Sequence, residues 1–174
     1  MPSNIYVDES IRNSYFLCAV QVDTSQISQL RLKAKMLRTN GQTSVHMQTE
    51  TKSRQSQIAT NISSFDFRAL LFHVTRSGIT DLSARRIALE SMFMNSQMFS
   101  AQLITFDTSN SIQQDRRIIS EVSRSKGINI PHYRHMNSRH EPLLWLPDIV
   151  AWCYGRGGPW RDAVEPLVDE VIEL

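Results

Sequence analysis

Apolar runs with the composition of β-strands alternate along this chain with segments that have the spacing of amphipathic helices. The first two runs are separated by only a few polar residues, which predicts a hairpin. From residue 65 onward the order is strand, helix, strand, helix and strand. This order predicts an α/β fold, in which a mixed sheet carries helices on both faces within a single domain spanning residues 1–174. The predicted strands lie at 5–7, 15–22, 45–48, 65–75, 102–106 and 128–130.

Capping residues and apolar spacing predict the helices between these strands. They lie at 24–38, 49–61, 80–100, 109–126, 143–154 and 160–174, with a glycine-rich loop at 155–159. The most apolar stretch runs only from Tyr15 to Val20, which is too short to span a bilayer. The chain does not open with a basic segment followed by an apolar one, so neither a signal peptide nor a membrane segment is predicted and a cytoplasmic location is expected.

Composition excludes several classes of protein. Hydrophobic residues make up 41% of the 174 residues and charged residues 21%, which is ordinary globular usage and excludes wholesale disorder. Cys18 and Cys153 are too few for a disulfide framework or a zinc cluster, and both lie in apolar segments, where we expect core packing. A net charge of +2 does not by itself predict a nucleic-acid partner. The chain has no glycine-rich nucleotide motif and no Gly-x-Ser-x-Gly elbow.

Carboxylates stand where predicted strands end or helices begin. Asp8 and Glu9 follow the first strand, Glu50 opens a helix, Asp107 ends the strand at 102–106, and Asp148 lies inside an apolar helix. Mixed sheets place reactive groups at strand ends, because strand interiors are filled with core residues. These five residues are therefore the candidate catalytic and metal-binding positions.

Each carboxylate also has a simpler interpretation. Asp8 and Glu9 suit a hairpin turn, Asp107 suits a turn and a helix cap, and Glu50 suits a charged first helical turn. Asp148 is the most unusual, because an isolated buried carboxylate is costly unless it is paired or bound to a metal. Its simpler role is to support a helix end or to pair with an arginine.

Several carboxylates at one sheet edge repel one another, and divalent cations relieve that repulsion. Oxygen ligands suit Mg²⁺ or Mn²⁺, which also take a substrate phosphate as a ligand. Two such ions about 4 Å apart activate a water and stabilise the leaving oxygen of a phosphodiester. The residue types therefore suit a two-metal nuclease, although their spacing does not show that they converge.

Four short motifs occur in an order that resembles a broad, mostly uncharacterised bacterial family assigned to the RNase H-like fold. The first is Tyr-Val-Asp-Glu-Ser at 6–10, followed at once by an apolar strand. A histidine-containing segment at 45–50 precedes a helix, a strand at 103–107 ends in Asp, and a late helix at 146–152 carries an Asp. The opening motif is moderately specific, and the others gain weight from their order.

The resemblance implies an RNase H-like sheet with a metal-dependent nuclease site that acts on RNA or DNA. Asp8, Asp107 and Asp148 match the family pattern best, and either Glu9 or Glu50 is expected to complete the metal site. His46 is expected to act as a general base or to contact a phosphate, with a hydrogen-bonded structural histidine as the alternative.

Basic residues are expected to grip the nucleic acid. The segment 132–140 is rich in them and is predicted to be a loop, with a solvated loop or a histidine metal site as alternatives. Arg54 lies on a predicted helix face. The candidate nucleic-acid contacts are Arg54, His132, Arg134, His135 and Arg139.

Two other functions stay open at this stage. One is a non-catalytic module that binds nucleic acid or protein, for instance one half of a toxin–antitoxin or mobile-element system with an antitoxin-like partner. The other is a homodimer, which requires Trp145, Trp152 and Trp160 to be partly exposed.

Overall fold

The computed structural model describes residues 1–108 and 112–174. Six strands form one mixed sheet in the order β5-β4-β1-β2-β3-β6. The strands are β1 Ser3–Ile11, β2 Ser14–Asp23, β3 Arg68–Thr75, β4 Ala101–Asp107, β5 Tyr133–Met136 and β6 Val168–Glu173. The helices are α1 Ile27–Lys35, α2 Lys52–Ile62, α3 Asp81–Met94, α4 Ile112–Lys126, α5 Trp145–Arg156 and α6 Gly158–Val164.

Strand direction brings most strand ends to one side of the sheet. β2 is antiparallel to both β1 and β3, whereas β4 is parallel to β1, β5 to β4, and β6 to β3. All strands except β2 therefore end at the same edge, which we call the carboxyl edge. This is the edge at which a parallel sheet presents reactive side chains.

Helices cover both faces of the sheet, as the sequence predicted. One core contains α1, α2, α5 and α6, and we call this side the α5 face. The other core contains α3 and α4, and we call this side the α3 face. Successive strand residues alternate between the two faces, so Tyr6 belongs to the first core and Val7 to the second.

The predicted hairpin is confirmed, but its first strand is longer than expected. Pairing with β2 continues through Asp8, Glu9 and Ser10 as far as Ile11, so these residues are strand rather than turn. Because the pairing is regular, adjacent residues must point to opposite faces. Asp8 and Glu9 are therefore separated by the sheet.

Four other segment predictions are wrong. The predicted loop at 155–159 is reduced to Gly157, because α5 continues to Arg156 and α6 begins at Gly158. Residues 45–48 form no strand, and a single 3-10 turn lies at Met47–Thr49. The last predicted strand lies not at 128–130 but at β5, which begins at Tyr133. The predicted closing helix at 160–174 stops at Val164, and the rest becomes β6 because the edge of β3 offers it a ladder. The predicted cap at 109–111 lies outside the described residues.

In the described ranges, no helix combines the length and apolar character needed to cross a membrane.

Candidate active site

Asp8 and Asp107 lie beside each other at the carboxyl edge. The pairing between β1 and β4 ends at Val7 and Phe106, and the two strands run about 4.8 Å apart. Each aspartate lies one residue further along its strand. Val7 and Phe106 belong to the core on the α3 face, so both aspartates point to the α5 face. Both are buried, with 8% and 6% of their surface exposed.

Asp148 reaches the same place from the first turn of α5. Its Oδ2 accepts a hydrogen bond from the backbone N–H of Met47, at 3.0 Å. This bond ties the short turn at Met47–Thr49 to the helix. Asp148 stays partly exposed, whereas its neighbours Pro147 and Ile149 are buried. The carboxylate therefore lies where an otherwise apolar helix meets the carboxyl edge.

The three aspartates affect one another's ionisation. Burial raises the pKa of Asp8 well above its usual value, and the negative charges of Asp148 and Asp107 raise it further. Burial also raises the pKa of Asp148 to about 6, against the Met47 hydrogen bond and the nearby His46, which lower it. Asp107 adds to the increase. These charge effects indicate that the three carboxylates lie near one another.

The chemistry of this donor set fits a divalent cation. In the described part of the chain, neither Asp8 nor Asp148 forms an ion pair with a lysine or arginine; each accepts a backbone N–H bond instead. Carboxylate oxygens are hard ligands of the kind that Mg²⁺ and Mn²⁺ prefer. Among residues 1–108 and 112–174, however, no three metal-ligating side chains already converge closely enough to hold an ion.

His46 lies at the margin of this site. It immediately precedes the turn that donates to Asp148, and its Nε2 faces the Ser138 hydroxyl at 3.4 Å. Ser138 is fixed in turn, because its carbonyl accepts a hydrogen bond from the Trp145 indole at 2.8 Å. His46 is half-buried and close enough to Asp148 to affect its pKa. The segment around His46 and the start of α5 thus form one wall of the site.

Glu9 lies on the opposite side of the sheet. Its carboxylate accepts hydrogen bonds from the Tyr15 hydroxyl and from Arg85, the latter at 3.0 Å. Arg85 also makes a two-bond pair with Asp115, at 2.7 and 2.8 Å. This placement separates Glu9 from the three aspartates, because consecutive residues of a strand point to opposite faces. The assignment of Glu9 as a metal ligand therefore lacks structural support.

Glu50 and Arg54 interact with each other beside the site. Glu50 accepts a hydrogen bond from the Gln42 amide at 2.7 Å and lies 3.6 Å from the Arg54 guanidinium. Arg54 also donates to the Leu37 carbonyl. In this structure Glu50 fastens the start of α2, and Arg54 is held by protein groups.

The segment 132–140 is not a uniform basic loop, because its first half is β5. His135 points to the α3 face, is buried and bonds Asp115 at 2.8 Å, which contradicts its expected contact with nucleic acid. Arg134 points to the α5 face and bonds the Thr105 hydroxyl at 3.2 Å. His132 and Arg139 are exposed.

A polar network next to the aspartates was missed at the sequence level. Glu141 is buried and binds Arg31 through two hydrogen bonds, at 3.0 and 2.7 Å. It also caps the turn before α5 by accepting from the Leu143 N–H at 3.1 Å. Burial and the charge of Glu141 raise the pKa of Tyr6. The Glu-Pro pair at 141–142 was the available signal for this cap.

The predicted burial of both cysteines is confirmed, and the tryptophan exposure that a homodimer requires is largely not found. Cys18 and Cys153 are free and buried, and burial raises the pKa of Cys153 to about 12. Trp145 and Trp152 are buried in the core, and Trp160 is half-buried. The argument for a tryptophan-based dimer therefore loses its premise.

The fold is that of solved ribonucleases H. A chain of the PCNA:RNase HII complex from Archaeoglobus fulgidus matches with a TM-score of 0.55 and 14% identity, over 95% of this chain and 76% of that one. Ribonuclease H2 from Pyrococcus horikoshii OT3 matches with a TM-score of 0.57 and 14% identity, over 86% and 70%. Bst-RNase HIII in complex with Mn²⁺ gives 0.56 and 13%, over 86% and 50%. No protein-family model matches the sequence, and no curated protein matches it. At these identities the likeness confirms the RNase H-like fold.

Proposed function

We propose that this protein is a metal-dependent nuclease that hydrolyses phosphodiester bonds of RNA or DNA. The observation that carries the proposal is the meeting of Asp8, Asp107 and Asp148 at one sheet edge, with raised pKa values for Asp8 and Asp148 and no arginine or lysine paired with either in the described residues. Structural ion pairs would have compensated these charges. The fold adds support, because the neighbours named above are ribonucleases H and one was solved with Mn²⁺.

The three aspartates would hold Mg²⁺ or Mn²⁺ between the ends of β1 and β4 and the start of α5. A divalent cation bound there polarises a phosphoryl oxygen and lowers the pKa of a water. The apolar packing around α5 keeps the carboxylates in a region of low dielectric, where charge interactions are strong. His46 stands at the edge of this region, where its imidazole can contact a phosphate or exchange a proton.

Cleavage assays on labelled RNA, DNA and RNA–DNA hybrid, each with Mn²⁺, Mg²⁺ or EDTA, test the proposal. We expect cation-dependent cleavage by the wild type and a loss of roughly 100-fold or more in Asp8→Asn and Asp148→Asn. Asp66→Asn is the matched control, because Asp66 is exposed and precedes β3 at the opposite edge of the sheet. Circular dichroism establishes that the variants are folded. Wild-type cleavage rates in both site variants would reject the assignment.

Metal binding gives a second test that does not depend on activity. A ligand that binds only the folded state raises the unfolding temperature as its concentration rises. We expect Mn²⁺ to do so for the wild type and for Asp66→Asn but not for Asp8→Asn.

The alternative, a module that binds nucleic acid without cleaving it, draws on the absence of closely converged metal ligands in the described residues. It predicts binding of oligonucleotides with neither cleavage nor Mn²⁺ stabilisation.

A further inference from the structure

A cavity of about 350 Å³ opens at the carboxyl edge, on the α5 face beside the aspartates. Its walls carry Ser10 from β1, Phe16 from β2, and residues from the last turn of α5 and from α6. None of the residues that line this cavity was among the catalytic or binding residues predicted from the sequence. Its basic lining residues, which we call the basic pocket, are Arg12, His73, Arg156 and Arg161.

Aromatic rings and a backbone carbonyl hold the three arginines of the basic pocket. The Arg156 guanidinium lies 5.1 Å from the Trp160 ring centre, and that of Arg12 lies 5.9 Å from the Trp152 ring. Arg161 lies 4.5 Å from the Tyr154 ring, and its Nε donates to the Tyr154 carbonyl at 3.0 Å. These contacts fix the guanidinium groups and leave most of their N–H donors for a ligand.

No carboxylate neutralises these three arginines within the described residues. Other arginines of the chain are paired with acids, such as Arg68 with Asp169 and Arg76 with Asp81. The acid that reaches the basic pocket is Glu173, which pairs with His73. Three guanidinium groups converging on a cavity without a matching carboxylate favour an anionic ligand, and a phosphate suits their planar donor geometry.

The basic pocket lies close to the three aspartates. Ser10 lies two residues beyond Asp8 on the same face of β1, which is about 7 Å along the strand. Arg156 lies eight residues beyond Asp148 on α5, which is about 12 Å along the helix. A phosphate in the pocket would therefore lie within a few nucleotides of one at the aspartates.

We propose that the basic pocket binds a phosphate of a nucleic-acid strand whose scissile phosphodiester, a few nucleotides away, lies at Asp8, Asp107 and Asp148. This inference rests on the proposed function, which it deepens by assigning where the strand runs. The phosphate can belong to the interior of a strand or to its 5′ end, and the two sources are separated by experiment. The strand would pass from the aspartates along β1 toward the end of α5.

Anisotropy titrations in EDTA, where cleavage is suppressed, test the inference with a fluorescent single-stranded oligonucleotide at several salt concentrations. The pocket variant is the double substitution Arg12→Gln with Arg156→Gln. Its matched control is Arg117→Gln with Arg124→Gln, which removes the same charge from exposed positions on α4, across the sheet. Thermal unfolding establishes that both variants are folded.

We expect the pocket variant to bind about tenfold or more weakly and to lose about 0.7 from the slope of log K against log salt, as for one phosphate contact on a single strand. The control should keep the wild-type slope and bind within about twofold of the wild type. A loss with both 5′-phosphorylated and 5′-hydroxyl oligonucleotides assigns an interior phosphate. A loss only with the 5′-phosphorylated form assigns the strand end.

Equal weakening in the two double variants would overturn the inference, because it indicates diffuse electrostatics. Wild-type affinity in the pocket variant, or no oligonucleotide binding by the wild type, would also overturn it. If Asp8→Asn abolishes cleavage while the pocket variant behaves as the control, only this inference fails. If the wild type cleaves nothing while the pocket variant still loses affinity, the nuclease proposal fails and the pocket stands.

Discussion

Replacing Asp148 with asparagine should stabilise the folded protein at alkaline pH. The pKa of Asp148 is raised from 3.8 to about 6 in the fold, so the folded state holds this proton more tightly than the unfolded chain does. Stability therefore falls as pH rises from about 4 to about 6, and the full cost is present above that range. A tenfold change in proton affinity corresponds to about 1.4 kcal/mol, so the ionised carboxylate costs the fold as much as about 3 kcal/mol.

Asparagine removes this cost while keeping the local geometry. Its Oδ1 can accept the Met47 N–H bond that Asp148 accepts in the structure, and its volume is nearly the same. Removing the charge also relieves Asp8, whose pKa Asp148 raises. We therefore expect Asp148→Asn to unfold with a free energy as much as about 3 kcal/mol higher than the wild type at pH 8, and equal to it near pH 3.5.

Urea unfolding in EDTA, followed by tryptophan fluorescence between pH 3.5 and 8, measures this difference. The chain has three tryptophans, and Trp145 packs in the core three residues before Asp148. Asp66→Asn provides the comparison, because Asp66 is exposed and an exposed substitution should change the free energy of unfolding by no more than about 0.5 kcal/mol. A variant less stable than the wild type at pH 8, or a difference that does not vary with pH, would refute the claim that uncompensated charges meet at this edge.

Two further predictions concern the buried ion pairs that Arg85 forms with Glu9 and Asp115 on the α3 face. Glu9→Gln should cleave at a rate within a few-fold of the wild type in the cation-dependent nuclease assay, because Glu9 lies across the sheet from Asp8. A folded Glu9→Gln variant without cleavage activity would indicate that Glu9 is a metal ligand. Arg85→Ala should lower the free energy of unfolding by about 3–5 kcal/mol in urea titrations, because it leaves Asp115 and Glu9 without their cation. The adjacent Arg86→Ala, which removes an exposed pair, should cost no more than about 1 kcal/mol, and equal losses in the two would contradict the buried-network argument.

The sequence predicts the sheet well where a strand has a strong local signal. The hairpin and the strands at β3 and β4 were foreseen because apolar runs there are bounded by polar turn residues. β6 was not foreseen, because Val168, Val171 and Ile172 have a spacing that a helix accommodates equally well. Pairing with β3, a contact between distant segments, decides its conformation.

The residues of the candidate site were likewise predicted in part from the sequence. Asp8 and Asp107 were singled out by their positions at strand ends and Asp148 by its apolar surroundings, and the structure places these three near one another. Glu9 was assigned with Asp8 from the end of the first strand, and His135 from the basic segment 132–140. Strand alternation places both on the opposite face. The basic pocket could not be predicted, because it joins residues from the turn between β1 and β2, from β3, from α5 and from α6, which are distant in sequence.

The pKa values of buried carboxylates shift in opposite directions on the two faces of the sheet. On the α3 face, burial alone would raise the pKa of Asp115, but hydrogen bonds from Arg85 and His135 outweigh it and lower that pKa. On the α5 face, burial raises the pKa of Asp8 and its nearest charges are also negative, so they raise it further. Within the described residues, the fold supplies a buried arginine to Asp115 and Glu9 but none to Asp8, which is adjacent to Glu9 in sequence. Because an uncompensated buried carboxylate lowers stability, this contrast supports the proposal that Asp8 serves as a ligand for a divalent cation.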